Sequence, residues 1–299
     1  MSAATVAPRR RGRRRVQWAG LWFAAPFMAV FAVAVLAPLG YALYLMLFQE
    51  RLVGGTVFVG AENLWNAFTD ARLLEGLRRV ALFLLVQVPI MLGLALLAAL
   101  ALDSGLLRFA RVFRVGIFVP YAIPSVVAAL MWGFMYGDEF GLVADLEGLL
   151  GVPMPDLLAG PWLLPAIGNI VTWEFVGYNM LILYAALRAV PTELYEAADI
   201  DGAGEIRKAV AIKLPALRGA IGVALLFSII GSFQLFNEPN VLRAISPAVS
   251  TYYTPNMYAY NLAFNGQQFN YSAAVAVVLA LATIAVAYVA QLVTARGQR

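Results

Sequence analysis

Residues 188–218 read RAVPTELYEAADIDGAGEIRKAVAIKLPALR and hold five basic and five acidic side chains, in a chain that is only 13% charged. Such a segment must sit in water. Thr192, behind Pro191, is a good helix N-cap, and Glu193 and Glu196 put negative charge into the first turns, where the helix dipole favours it. The pattern predicts a short helix from Thr192 to Ile200, then a turn at Gly202 and Gly204, where a missing Cβ permits positive φ. A second short helix then starts at Glu205, and Pro215 is expected to stop it. Leu194, Ala197 and Ala198 share one face, as do Ile206, Ala209 and Val210. Helices of two or three turns are marginal alone in water, so both are expected to dock on a partner.

On either side of this loop the chain turns apolar. Of its 299 residues, 62% are hydrophobic, and the mean hydropathy is +0.79. That leaves too little polar surface to coat a water-soluble globule, so the class is integral membrane. A spanning helix needs about 20 mainly apolar residues. The stretches of that kind are the uncharged Val16–Gln49, then Val80–Leu102, Val115–Gly137, Trp162–Leu187, Gly219–Asn237 and Ala273–Ala295, which makes six spans. All are read as helices, because an open strand edge in lipid leaves backbone groups unpaired at several kcal/mol each. The first run is too long for the core of a cleaved signal peptide, about 7–15 residues, and is read as a retained span.

Positive charge orients the spans. Sixteen of the 21 basic residues fall in the N-terminal tail (residues 1–15), the second and fourth connections and the C-terminus, which places both ends in the cytoplasm. The arginine cluster Arg9, Arg10, Arg11, Arg13, Arg14 and Arg15 lies beside a span. It is read as a topology signal facing anionic lipid headgroups rather than as a nucleic-acid site. Residues 138–161 hold five acids and no base, punctuated by Gly148, Gly151, Pro153 and Pro155, and read as a short, bent, solvated connection. Trp18, Trp22, Trp132 and Trp162 fall near span ends and read as interfacial anchors. Residues 16–299 form one membrane domain on this reading.

Composition also excludes much chemistry. With no cysteine and no histidine, the chain has no thiolate nucleophile, no zinc–sulfur site and no imidazole base. Neither of its two lysines, Lys208 and Lys213, follows a glycine, so no phosphate-cradling loop ending Gly-Lys-Ser/Thr is present. Any nucleotide-driven work must come from another chain. An intramembrane catalyst would need a carboxylate pair or a Ser-Lys dyad, but one carboxylate lies well inside a span and both lysines lie in the loop. No catalytic or metal-binding residue is assigned.

Glu196-Ala197-Ala198, three residues, Gly202, nine residues, then Ile212-Lys213-Leu214-Pro215 resembles, without gaps, the EAA-loop signature of permease subunits of binding-protein-dependent ABC importers. The likeness extends over about residues 18–295 and sharpens toward the carbohydrate-type group of maltose, trehalose and glycerol-phosphate permeases. It is carried by residues 58–63 (FVGAEN) and Asp70; by Phe113-Arg114, residues 118–124 (FVPYAIP) and Trp132; by Trp173, Gly177, Leu187 and Pro191; and by residues 232–239 (SFQLFNEP). One departure is visible: Ser246-Pro247 stands where that group has Gly-Pro.

The resemblance implies an all-α, six-helix, MetI-like permease fold in a bacterial inner membrane, with Glu196, Ala197, Ala198, Asp201, Gly202, Gly204, Ile212, Leu214 and Pro215 as ATPase-coupling residues. It implies a second homologous permease, a cytoplasmic ATPase dimer that holds the ATP and magnesium, and an extracytoplasmic binding protein. It implies an imported sugar, with glycerol phosphate, a polyol or a peptide as alternatives.

Glu174 is the ionisable residue deep inside a predicted span and should avoid lipid, at about 2.5–3.5 kcal/mol or more for exposure. Tyr178 shares its face and Asn179 adjoins it, while Gln234, Asn237 and Glu238 cluster at the end of span five. Carboxylates, amides and aromatic rings suit a sugar's hydroxyls and weakly apolar ring faces. Glu174, Tyr178, Asn179, Gln234 and Asn237 are therefore candidate cavity residues. The alternatives for Glu174 are a structural hydrogen bond to the second permease, or a place near the surface on a shifted helix.

Overall fold

The computed structural model describes residues 18–51, 53–137 and 140–296; the tail arginines Arg9 to Arg15 and Arg299 lie outside the described residues. Apolar helices dominate. Among the described residues, five helices are long and apolar enough to cross a membrane: Trp22–Leu45, Ala71–Asp103, Gly160–Leu187, Glu205–Leu242 and Phe269–Thr294. The bent pair Ala110–Ala122 and Ser125–Met135 completes six as span three.

Span three is sharply bent, at one of the prolines that the sequence places inside spans. Its halves meet at 100° at Ile123-Pro124, where Ile123 is extended (φ −83°, ψ 129°). The clash of a proline ring with the residue before it disfavours the helical region at that residue, so the chain turns. Other prolines act differently. Pro89 sits inside the unbroken helix Ala71–Asp103. Pro38 and Pro215 each open an α segment directly behind a π turn, at Ala32–Leu36 and Ala209–Lys213.

Pro215 therefore does not stop the helix, contrary to the sequence expectation. The Leu214 N–H bonds to the Ala209 carbonyl, five residues back, and this wider turn carries the helix past a ring that would otherwise strike the carbonyl four residues back. Glu205–Lys208, the π turn and Leu214–Phe233 thus form one rod from the polar loop into span five.

Three further elements differ from expectation. The first span ends at Leu45 and is followed by an antiparallel hairpin, Phe48–Arg51 with Gly55–Phe58. Positive φ at Gly54 and Gly55 makes its turn, and the Asn63 amide donates to the Met46 and Phe48 carbonyls. Span two starts at Ala71 rather than Val80. At 33 residues it is about 50 Å long, so its charged first turns, with the Glu75–Arg79 ion pair, project beyond a hydrocarbon core of about 30 Å. The described part of the third-to-fourth connection, residues 140–161, is structured: Leu142–Leu150 is a helix, and Met154, Leu157 and Leu158 pack on the core with buried Val143. The Ser246 hydroxyl donates to the Leu158 carbonyl and pins this connection down. Trp132 is no interfacial anchor, since it packs edge-on against Trp173 and beside Tyr136 within the core.

Asp70 anchors the outer end of span two. Its carboxylate accepts from the Arg72 and Leu73 N–H groups at 2.8 and 3.3 Å and from the Tyr258 and Tyr271 hydroxyls at 2.6 and 2.7 Å. Burial alone would push this carboxyl up, but the four hydrogen bonds together hold it below the usual carboxylate range. Burial and the bond to Asp70 push the Tyr258 phenol up to about 12.

Candidate functional site

Two regions gather the residues singled out from the sequence. The first is the polar loop. Thr192–Ile200 forms a helix with the expected bounds, Gly202 takes φ +71°, and the rod restarts at Glu205; Thr192 is not the N-cap, because Pro191 takes that position and, with no side-chain oxygen, leaves the first N–H groups without a side-chain cap. Glu196, Ala197, Asp201, Gly202, Gly204 and Pro215 are exposed, whereas Ala198, Ile212 and Leu214 are half-buried. The apolar side chains of both stubs face outward: Ile200 is 88% exposed, Ile206 83%, Val210 60% and Leu194 50%. Exposed apolar side chains thus gather on a segment too polar for lipid.

Behind that face lies a charged cluster the sequence reading did not foresee. Lys213 Nζ sits 2.8 Å from Asp103 Oδ2, with both side chains nearly fully buried. Glu205 is 3.8 Å from Lys213 and 3.0 Å from Lys208, which in turn lies 2.5 Å from Asp199. The Lys213 ammonium stands 5.5 Å over the Tyr195 ring. Burial, and then the nearby Asp103 carboxylate, push the Tyr195 phenol up.

The second region is a cavity of about 380 Å³ among spans two, three, four and five. Tyr178, Asn179, Gln234 and Asn237 all reach it. Glu174 does not line it: the residue is 3% exposed and lies near Glu238, which does reach the cavity. The expectation that Glu174 faces inward agrees with this position, but the carboxyl stands behind the wall, with Oε2 unpartnered.

The bend of span three supplies what the sequence reading missed. Tyr121, between Pro120 and Pro124, stacks on Tyr178 with centroids 4.8 Å apart and a 17° interplanar angle, and meets Phe175 edge-on. Ser125, on the far side of the bend, accepts from the Asn237 amide at 2.9 Å. Gln87 of span two donates to Thr172 at 3.3 Å and also lines the cavity. The proline pair was the available signal, because a break there turns the residues between toward the bundle. Asn179 donates to the Phe175 carbonyl and leaves its buried Oδ1 without a partner. The cavity thus presents aromatic faces, amides, hydroxyls and the Glu238 carboxyl, and among the described residues no lysine or arginine lines it.

Residues 91–298 match the family model described as "Binding-protein-dependent transport system inner membrane component". The chain belongs to this family. Among curated relatives, the diacetylchitobiose uptake system permease protein NgcF of Streptomyces coelicolor is 33% identical over 272 residues, covering 86% of this chain and 76% of the relative. The lactose transport system permease protein LacF of Rhizobium radiobacter is 32% identical, covering 88% and 89%. The arabinooligosaccharides permease protein AraP of Bacillus subtilis is 31% identical, covering 89% and 85%. Among solved structures, a bacterial alginate ABC transporter, in complex with its alginate pentasaccharide-bound periplasmic protein, contains a chain that superposes with a TM-score of 0.81. That match covers 94% of this chain and 96% of the other at 17% identity, a likeness of fold. This transport component is therefore a multi-pass membrane protein with the permease fold of ABC importers.

Proposed function

We propose that this chain is one of two permease subunits of an ATP-driven importer, lies in a bacterial inner membrane, and passes a neutral mono-, di- or oligosaccharide inward. The observation that carries the reading is the cavity between the bent span three and span four. Its stacked Tyr121 and Tyr178, with Asn179, Gln234 and Asn237 around them, match a sugar's apolar ring faces and hydroxyls, and none of the described residues lining it offers a cation to an anionic solute. The names of the relatives quoted above support a saccharide as the cargo. About 380 Å³ falls within the range of small-molecule sites.

On this reading the binding protein delivers the sugar on the outer side, and the apolar face of residues 192–215 seats on an ATPase dimer that holds the ATP and magnesium. Closure of that dimer pushes the loop, and the spans answer by alternating access. Glu196, Ala197, Ala198, Asp201, Gly202, Gly204, Ile212, Leu214 and Pro215 are the proposed coupling residues. The chain supplies a path and a lever, and no covalent chemistry.

The test is co-purification through a tag on this chain, reconstitution in liposomes, and uptake with a panel of neutral and anionic sugars at saturating ATP. ATP-dependent accumulation of a neutral saccharide is expected. Accumulation confined to an acidic solute, or uptake independent of ATP, overturns the reading.

A further inference from the structure

The helix Thr192–Ile200 has no buried residue of its own, and at nine residues it cannot hold its shape alone. The described contacts that tie its side chains to the rest of the protein are polar: Asp199 to Lys208, and the Tyr195 ring beneath Lys213. Lys213 is therefore met from three directions. Tyr195 approaches from the stub helix, Asp103 from the last residue of span two, and Glu205 from the start of its own rod.

The π turn makes this meeting possible. Eight residues separate Glu205 from Lys213, which on an uninterrupted α-helix leaves them about 80° apart around the axis. The extra residue taken up by Ala209–Lys213 cancels most of that angle, so both side chains reach one face. The turn that carries the helix past Pro215 thus also aims Lys213 into the cluster. Lys213 and Asp103 are about 5–6% exposed, and a charge pair so buried costs several kcal/mol per ion to desolvate. For stability alone, two apolar side chains would serve as well or better. A pair retained at that cost, where the loop meets the bundle, points to a mechanical role.

We propose that Lys213 is the joint through which movement of the polar loop enters the membrane bundle, as a positioning residue that locks the stub helix Thr192–Ile200 and the inner end of span two to span five. This rests on the importer reading above. When the loop is pushed, the charged joint moves both spans together. Without it, the stub helix swings on its own and the push is dissipated.

The experiment reads uptake per ATP hydrolysed in the reconstituted full complex, for wild type, Lys213→Met, Lys213→Arg and Tyr195→Leu. Lys213→Met and Tyr195→Leu are expected to keep the complex together and hydrolysing ATP while the uptake-to-ATP ratio falls about tenfold. Lys213→Arg, which keeps the charge, should stay within about twofold of wild type. Wild-type ratios in both Lys213→Met and Tyr195→Leu overturn the proposal. If Lys213→Met fails to assemble because Asp103 is left buried and unpaired, the double variant Asp103→Leu/Lys213→Met removes both charges and decides instead. Assembly with a low ratio supports the joint, and assembly with a normal ratio refutes it. Failure of the importer reading looks different, since wild type itself would then show no ATP-dependent uptake.

Discussion

Gly177 lies in span four where that helix crosses the inner half of span three, and the crossing tolerates no side chain. A Cβ built there would sit 2.1 Å from the Ile117 carbonyl oxygen, 2.7 Å from the Ile117 carbonyl carbon and 2.7 Å from the Phe118 Cα. Ordinary contact begins at 3.4 Å, so Gly177→Ala must push the backbones of the two spans more than 1 Å further from each other. No side-chain rotation can relieve it, because every obstructing atom belongs to the main chain. Overpacking costs about 1–3 kcal/mol, and a backbone obstruction places this case at the upper end. At roughly 2–4 °C per kcal/mol for a chain of this size, purified Gly177→Ala should melt about 5–10 °C below wild type. Because Tyr178 is the next residue, the same displacement should slide its ring off Tyr121 and weaken uptake. Gly93 is the control: a Cβ added there meets nothing within 4 Å, so Gly93→Ala should gain up to about 1 kcal/mol from helix propensity. Opposite shifts in thermal melts of the two variants are expected. A Gly177→Ala protein as stable as wild type refutes the backbone crossing.

Gly202→Val meets no neighbour but forces a β-branched residue into φ +71°, costing on the order of 1–2 kcal/mol locally; it should abolish uptake and leave expression and membrane insertion intact, as quantitative blots of membrane fractions would check. Tyr178→Leu removes half of the aromatic stack and should raise the half-saturating sugar concentration about tenfold, while Glu174→Gln, behind the wall, should stay within about twofold; a large shift for Glu174→Gln would return that residue to the cavity. The Asp70 carboxyl has a folded pKa below its unfolded value of 3.8, so its contribution to stability is fully present above pH 3.8 and is lost as pH falls through the lower folded value. Asp70→Asn should therefore melt below wild type at pH 7, and the gap should close in melts taken under pH 3.8.

The loop was legible because its signals are local. Acids in the first turn and a glycine at 202 depend on neighbours in the chain, and the helix Thr192–Ile200 and the turn form where those signals put them, although the cap position falls on Pro191 and Thr192 is the first helical residue. The same local rule failed at Pro215. Whether a proline ends a helix depends on whether the preceding turn can widen, and Ala209–Lys213 does widen. Pro89, Pro124 and Pro215 show three outcomes for one residue type: an unbroken helix, a 100° bend, and a passage behind a π turn. Nothing in a residue-by-residue rule separates them.

The cavity was only partially legible. Polar residues inside apolar runs are conspicuous, which brought Tyr178, Asn179, Gln234 and Asn237 forward, and all four reach it. Gln87, polar within the run Val80–Leu102, carries the same mark but was missed; Tyr121 and Ser125 come to the space through the bend of span three, and Glu174 carries the mark without lining it.

Hydropathy and charge are sums over individual side chains, so the membrane class, the six apolar runs and the placing of residues 188–218 in water could be read from the bare chain. The meeting of Lys213 with Asp103, the stacking of Tyr121 on Tyr178 and the close crossing at Gly177 each join residues far apart in sequence. Distance and angle between such groups arise only when whole helices have packed, because each contact is the outcome of every bend and turn between its two partners.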